Sequence, residues 1–290
     1  MTMTQGHKLR EILERPGILV LPGIYDCIGA KLIEQLGFEV VFTSGFGISG
    51  STLGRPDFGF LTATETLYSV GRIAQSVDIP LVADLDTGYG NPLNVVRTVD
   101  DAVRLGVAGI ILEDQEWPKK CGHFDGKRVI PMEEQVEKIH AAVHARDDSG
   151  LVIIGRTDAR APLGIDEALR RGRAYFDAGA DIVFVEAPQS VGELEAIAKA
   201  FPDAPIFANM IEGGKTPFLN AKELEELGFK IVVFPLSGLF TATKAMAACF
   251  RHLKENGTTA GFENLLTFKE FEEVIEVEKY REIERNFAVE

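Results

Sequence analysis

The sequence predicts an α/β fold, a closed (β/α)8 barrel with an extra C-terminal helix, on three observations. Eight short runs rich in β-branched and apolar residues recur along the 290 residues. None of them alternates apolar with polar residues, so each reads as a strand covered on both faces, as in a parallel sheet. Helical patterns lie between the runs, and eight such alternations favour a closed barrel. Spacing cannot show closure, so a doubly wound open sheet stays as the alternative.

The elements follow in order. The candidate strands are GILVLPG (17–23), EVVFTSG (39–45), IPLVADLD (79–86) and AGIILED (108–114). The series continues with GLVIIGRTD (150–158), ADIVFVEAP (180–188), APIFANM (204–210) and KIVVFPLSG (230–238). Helical patterns are TATETLYSVGRIAQSVD, IDEALRRGRAYFDAGA, SVGELEAIAKAF and NAKELEELGF, with Thr62 or Thr64, Asp166 and Ser190 as N-cap candidates. In QLGFEV, RLGVAGI, DAGADIV and ELGFKIV a glycine stands between helix and strand, as at a helix C-terminus. Leu266 to Asn286 reads as one further charged helix, within a C-terminal extension from about residue 257 to 290. No interdomain linker is visible, so residues 1–290 are expected to form one domain.

A hydrophobic fraction of 46% and a charged fraction of 26% are ordinary for a globular chain. The net charge of −14 argues against nucleic acid or an anionic membrane as partner, since both need a basic face. It leaves room for a small anionic substrate held by a few local cations. The first residues lack the apolar core of a signal peptide, and no apolar run is long enough to span a bilayer. Cys27, Cys121 and Cys249 are odd in number and widely spaced, which argues against a disulfide framework or a structural zinc site. A cytoplasmic location follows as the expectation. Cys27 and Cys249 fall in apolar helical patterns and are expected in the core.

In a barrel, chemistry sits at the C-terminal ends of the strands. There the runs carry Thr43-Ser44-Gly45, Asp84-Leu85-Asp86, Glu113-Asp114, Arg156-Thr157-Asp158, Glu186 and Asn209. A single strand-end acid is most often a cap or an ion-pair partner. A ring of them repels itself unless a cation intervenes, and oxygen donors favour Mg2+ or Mn2+ over zinc. Asp84 and Asp86, two residues apart, point to one face. Arg156 reads either as an anion binder or as the partner of Asp158. In WPKKCGHF (117–124) the two lysines are placed to lower the pKa of the Cys121 thiol, and His123 could share its proton. Gly122 permits a sharp bend or a close approach. Alone, the octapeptide reads equally well as a basic surface loop.

Together, TSGFGISGSTLGRPDFG, VADLDTGYGNPLNVVRTV, GIILEDQEWPKKCGH, IIGRTDA and ANMIEGGKTP resemble the phosphoenolpyruvate mutase/isocitrate lyase superfamily, over nearly the whole chain from about Leu21. The resemblance implies a (β/α)8 barrel whose eighth helix is swapped between subunits, commonly in a homotetramer. KKCGH looks like the lyase signature on a mobile loop, here 117–131, that gates the site. By position, Asp86 would bind Mg2+ directly (Mn2+ being the substitute), with Asp84 and Glu113 holding it largely through water. Ser44, Gly45 and Phe46 would contact the carboxylate of the oxo-acid half. Arg156 would grip the substrate, Glu186 and Asn209 would line the far side, and Asp57 would lie near the substrate end. Cys121 would be the general acid, with Lys119, Gly122 and His123 as its setting.

The departures are informative. Arginines that hold a third carboxylate in methylisocitrate lyases align with Phe240 and Phe268, and a threonine aligns with Ile211. Pro235 stands where the oxaloacetate-hydrolase branch is expected to show serine. The resemblance therefore implies a C–C lyase for a 2-hydroxy dicarboxylate such as 2,3-dimethylmalate or another 2-alkylmalate. Methylisocitrate lyase, and a phosphonomutase or oxaloacetate-cleaving enzyme, are the alternatives.

Overall fold

In the computed structural model, which describes residues 3–287, the chain runs α1 (Gln5–Glu14), β1 (Leu19–Ile24), α2 (Cys27–Gln35), β2 (Val41–Thr43), α3 (Gly45–Ile48), α4 (Ala63–Ala74) and β3 (Leu81–Asp84). It continues through α5 (Pro92–Arg104), β4 (Gly109–Glu113), α6 (Met132–Arg146), β5 (Val152–Thr157), α7 (Arg160–Leu163), α8 (Ile165–Asp177) and β6 (Ile182–Val185). The last elements are α9 (Val191–Ala200), β7 (Ile206–Asn209), α10 (Ala221–Leu227), β8 (Ile231–Phe234), α11 (Ser237–Asn256), α12 (Phe268–Val274) and α13 (Val277–Asn286). The strands pair in parallel, each with the next, and β8 returns to β1 with Leu19 opposite Ile231 and Pro22 opposite Phe234. The sheet is a closed barrel, so the open-sheet alternative falls away.

Strand period two sorts the side chains into two layers. Leu21, Phe42, Val82, Ile111, Ile154, Phe184, Phe207 and Val233 form the cluster inside the barrel. Their neighbours, among them Val41, Ala83, Ile110, Ile153, Val183 and Val232, pack outward against the helices. Leu9 of α1 joins the inner cluster with Ile12 and Leu13 behind it, so α1 closes the N-terminal mouth. Arg10 fixes that helix by donating to the Gly150 carbonyl at 2.8 Å and pairing with Asp181 at 2.9 Å.

Caps set where the helices begin. Thr62 accepts from the Glu65 N–H at 3.3 Å while Glu65 accepts from the Thr62 N–H at 2.8 Å, a reciprocal capping box at the start of α4. Ser190 caps α9. Asp166 does not cap α8: Gly164 precedes that helix and Asp166 lies inside its first turn, where its charge favours the positive helix end. Gly37, Gly106, Gly179 and Gly228 all adopt positive φ, between 81° and 104°, as the helix-to-strand glycines require.

The C-terminal part differs from the single helix expected. It folds as α12 and α13, broken at Glu276, whose φ of 56° no helix accommodates. This segment docks on α2 through the Lys31–Glu276 ion pair and a 3.1 Å bond from Gln35 to the Val274 carbonyl. The long helix α11 has no buried residue, and its Met246 and Phe250 are 49% and 62% exposed. Cys27 and Cys249 are only partly buried: Cys27 packs against the outer core, and Cys249 stands on α11, which has no buried residue.

A buried network ties β4 and β5 to α8. Asp114, on the outer face of β4, accepts from Tyr175 Oη at 2.7 Å, Thr157 Oγ1 at 2.7 Å, Arg171 Nη1 at 3.0 Å and the Asp158 N–H at 2.8 Å. Replacing Asp114 by Ala leaves the Arg171 guanidinium buried without this partner. Chemical denaturation of Asp114→Ala is expected to show a loss of about 3–5 kcal/mol with an unchanged m-value; a loss below about 1 kcal/mol would show that the network is dispensable.

Candidate active site

The inner rows of the strands continue one step past their last apolar residue, and that step is polar. Phe42 is followed by Ser44, Val82 by Asp84, Ile111 by Glu113, Ile154 by Arg156, Phe184 by Glu186 and Phe207 by Asn209. The barrel interior thus ends in a polar floor, above which Phe46, Asp57, Ile211, Pro235 and Leu236 complete a narrow cavity with Lys119, Cys121, Gly122 and His123 as its roof.

The roof is the loop after β4, and it is closed. Lys119 Nζ lies 2.7 Å from Asp57 Oδ2 and 2.7 Å from Asp86 Oδ1. His123 Nε2 faces Glu186 Oε1 at 2.9 Å, while its Nδ1 accepts from the Lys215 N–H at 2.9 Å. Because Nδ1 is an acceptor, the ring proton lies on Nε2, toward the carboxylate. Phe124 packs edge-on between Phe46 and Phe58, with ring centres 6.2 and 5.5 Å away. Gly122 is required: a Cβ there would sit 2.5 Å from Arg156 Nη2 and 2.6 Å from the Glu186 side chain.

Arg156 is buried, with Nε 2.8 Å from Asp158 Oδ2, and Nη2 3.1 Å from Asp158 Oδ1, 3.2 Å from Glu113 Oε2 and 3.6 Å from Glu186 Oε2. It pairs with Asp158 and also lines the cavity. Burial opposes ionisation of Glu186, but Arg156, and then His123, hold its carboxyl well below the usual range. Asn209 Nδ2 donates weakly to both Glu186 oxygens at 3.3 Å.

The three acids expected to hold a metal fare unequally. Asp84 and Asp86 converge on Gly45, where a Cβ would lie 3.2 Å from Asp84 Oδ2 and 3.4 Å from Asp86 Oδ1. Among the described residues, no three acidic, His or Cys side chains form a compact cage. Burial raises the Asp86 carboxyl to about 6, with Lys119 opposing and Asp84 adding to the rise. Glu113 is raised well above its ordinary value, burial outweighing Arg156, and its Oε1 is buried without a hydrogen-bond partner. Hard oxygens, mutual repulsion and an orphaned acceptor suit a divalent cation. Asp86 itself has a φ of 51°, and Ala187, just after Glu186, one of 54°, uncommon values for non-glycine residues that gather at sites of function.

Two expectations are corrected. The thiol pKa is not lowered overall, because the pull of Lys119 is outweighed by burial. Burial pushes Cys121 up to about 12, Lys119 is committed to Asp57 and Asp86, and Lys120 turns away to the Gly126 carbonyl. Phe240 and Phe268 do not line the cavity: they are 41% and 82% exposed, because α11 leaves the barrel rim and Leu236, unremarked in the sequence, takes the place beside Pro235. Lys127 also went unnoticed, though its position four residues after His123 places it on the returning limb of the same loop.

Comparisons bear on this geometry. The sequence matches the phosphoenolpyruvate phosphomutase family over residues 9–254. It is 46% identical over 287 residues to a 2,3-dimethylmalate lyase of Eubacterium barkeri, covering 99% of each chain. A crystal structure of 2,3-dimethylmalate lyase superposes with a TM-score of 0.94 at 34% identity, covering 99% of this chain and 96% of that one. A phosphonopyruvate hydrolase solved with oxalate and Mg2+ superposes with a TM-score of 0.88 at 31% identity, covering 98% of this chain and 99% of that one. Matched by the family model over most of its length and 46% identical to a relative along 99% of it, this chain belongs to the phosphoenolpyruvate mutase/isocitrate lyase superfamily.

Proposed function

We propose that the chain is a carbon–carbon lyase that cleaves 2,3-dimethylmalate, or another 2-alkylmalate, to pyruvate or a related 2-oxo acid and a carboxylate. The observation that carries this reading is the Cys121 thiol, buried under the closed loop, kept protonated by that burial, and facing a cavity lined by Arg156, Asp84 and Asp57. A retro-aldol cleavage makes a carbanion equivalent that must be protonated, and a buried thiol meets that need.

For 2,3-dimethylmalate, the electron pair of the departing 2-hydroxyl proton becomes the carbonyl of pyruvate. The C2–C3 bond breaks toward C3, and Cys121 delivers the proton that turns the enediolate into propionate. Arg156 holds the substrate, and Ser44, with the N–H groups at Gly45 and Phe46, suits its carboxylate. The roof keeps water from the intermediate. Asp86, Asp84 and Glu113 would hold Mg2+, which would supply Lewis acidity toward the 2-hydroxyl and its carboxylate.

Ile211, Pro235 and Leu236 favour the alkyl-bearing substrate. Of the lining cations, Lys119 is already paired with acids, so a third carboxylate placed on that wall would be desolvated without a partner, at a cost of several kcal/mol. Methylisocitrate is disfavoured on this ground.

The exposed apolar residues of α11 support a second part of the proposal, in which this helix packs on a partner barrel and the assembly is a homotetramer of helix-swapped pairs. No helix among the described residues is long and apolar enough to cross a membrane, and the three free cysteines suit a reducing cytoplasm.

Three outcomes are expected. With Mg2+, pyruvate release from 2,3-dimethylmalate should exceed that from methylisocitrate by at least about tenfold in kcat/KM and should vanish with EDTA; equal rates would refute the specificity reading. Cys121→Ser should lower kcat by about 10³-fold while Mg2+-dependent pyruvate binding, followed by calorimetry, changes little; near-normal turnover would remove the thiol from the mechanism. Light scattering should give a tetramer, and a monomer would refute the swap.

A further inference from the structure

We propose that Lys127 is a positioning residue, whose buried ammonium sets the cysteine-bearing loop and Arg156 in one arrangement through their shared partner Asp158. Lys127 does not line the cavity, so it acts only through others. It is 6% exposed, although it stands on a surface loop. Its Nζ donates to Asp158 Oδ1 at 2.9 Å and to the carbonyl of Gly122, the residue directly after Cys121. The same Oδ1 accepts from Arg156 Nη2 at 3.1 Å, and Oδ2 accepts from Arg156 Nε at 2.8 Å.

Asp158 is itself anchored through its backbone, whose N–H donates to Asp114 Oδ1 at 2.8 Å. One carboxylate anchored to the barrel therefore receives a cation from the strand that grips substrate and a cation from the loop that carries the acid. Despite its burial, Asp158 is kept below the usual carboxylate range, first by Arg156 and then by Lys127. The other loop cations differ. Lys119 faces the cavity directly, and Lys120 ties the loop only to its own Gly126 carbonyl at 3.2 Å. Were the loop to swing out, the Lys127 ammonium would regain water and Asp158 would keep only Arg156. In the closed loop the pair sets Gly122, and hence Cys121, in register with the guanidinium.

The assay half of the test rests on the lyase reading; the loop half does not. Trypsin can cut the loop after Lys119, Lys120 and Arg128, and mass spectrometry locates the cuts. Lys127→Met is expected to be cut within 117–131 about tenfold faster than wild type, with or without a working assay. Its kcat/KM for pyruvate release should fall about 100-fold, and Lys127→Arg should recover at least about a tenth of wild-type activity. Because the two side chains act as a unit, Lys127→Met/Asp158→Asn should be no worse than Asp158→Asn alone. Loop cutting at the wild-type rate, losses that multiply in the double variant, or an Arg variant as impaired as the Met one would each overturn the proposal. Thermal unfolding checks that each variant is folded, and Lys127→Gln replaces the Met variant if that one is not.

Discussion

Too many carboxylates meet at one mouth of this barrel for the mouth to stand unaided. Asp84, Asp86, Glu113, Asp158 and Glu186 are all buried within the reach of neighbouring strand ends, with Asp57 beside them. Only Arg156 answers them from the strands. The remaining positive charge arrives on the loop after β4, as Lys119 on Asp57 and Asp86 and Lys127 on Asp158, with His123 Nε2 beside Glu186. Loop position and acid ring are therefore one electrostatic problem. Closing the roof sets these cations over the acids, while one Glu113 oxygen stays buried without a hydrogen-bond partner.

The barrel makes this arrangement cheap to build. Parallel strands buried on both faces need nothing polar until they end, and period two then decides where each terminal side chain goes. Glu113 and Asp114 are chain neighbours with opposite fates: one points inward to Arg156, the other anchors Tyr175, Thr157 and Arg171 on the outside. The outward network stiffens what the inward row uses, because Asp114 holds the backbone of Asp158, which in turn orients Arg156. Stability and chemistry are thereby carried by alternate residues of the same two strands.

Much of this was legible in the chain. The eight strands were readable because their burial on both faces leaves continuous apolar runs, and the polar strand ends because they interrupt those runs at one side. The helix-to-strand glycines were readable because a left-handed residue has few alternatives there. What escaped the reading was whatever depends on distant partners. Burial of Cys121, which raises its pKa against the opposing pull of Lys119, comes from the folding of the whole loop over the barrel mouth and not from its sequence neighbours. Asp166 looks like a cap, but the Gly164 backbone sets the start of α8. Phe240 aligns with a site position, yet the path of α11 takes it to the surface. Lys127 looks like any loop lysine until the fold brings Asp158 beneath it.

The central claim is that a protonated thiol is held over a single metal-binding acid ring when the roof is shut. A crystal structure of the protein with Mn2+ and pyruvate, phased to show the anomalous signal of the metal, tests it most directly. The account predicts one anomalous peak bounded by Asp84, Asp86 and Glu113, with pyruvate between it and the Cys121 sulfur. A metal peak elsewhere, or pyruvate bound there with Cys121 turned out to solvent, would contradict it.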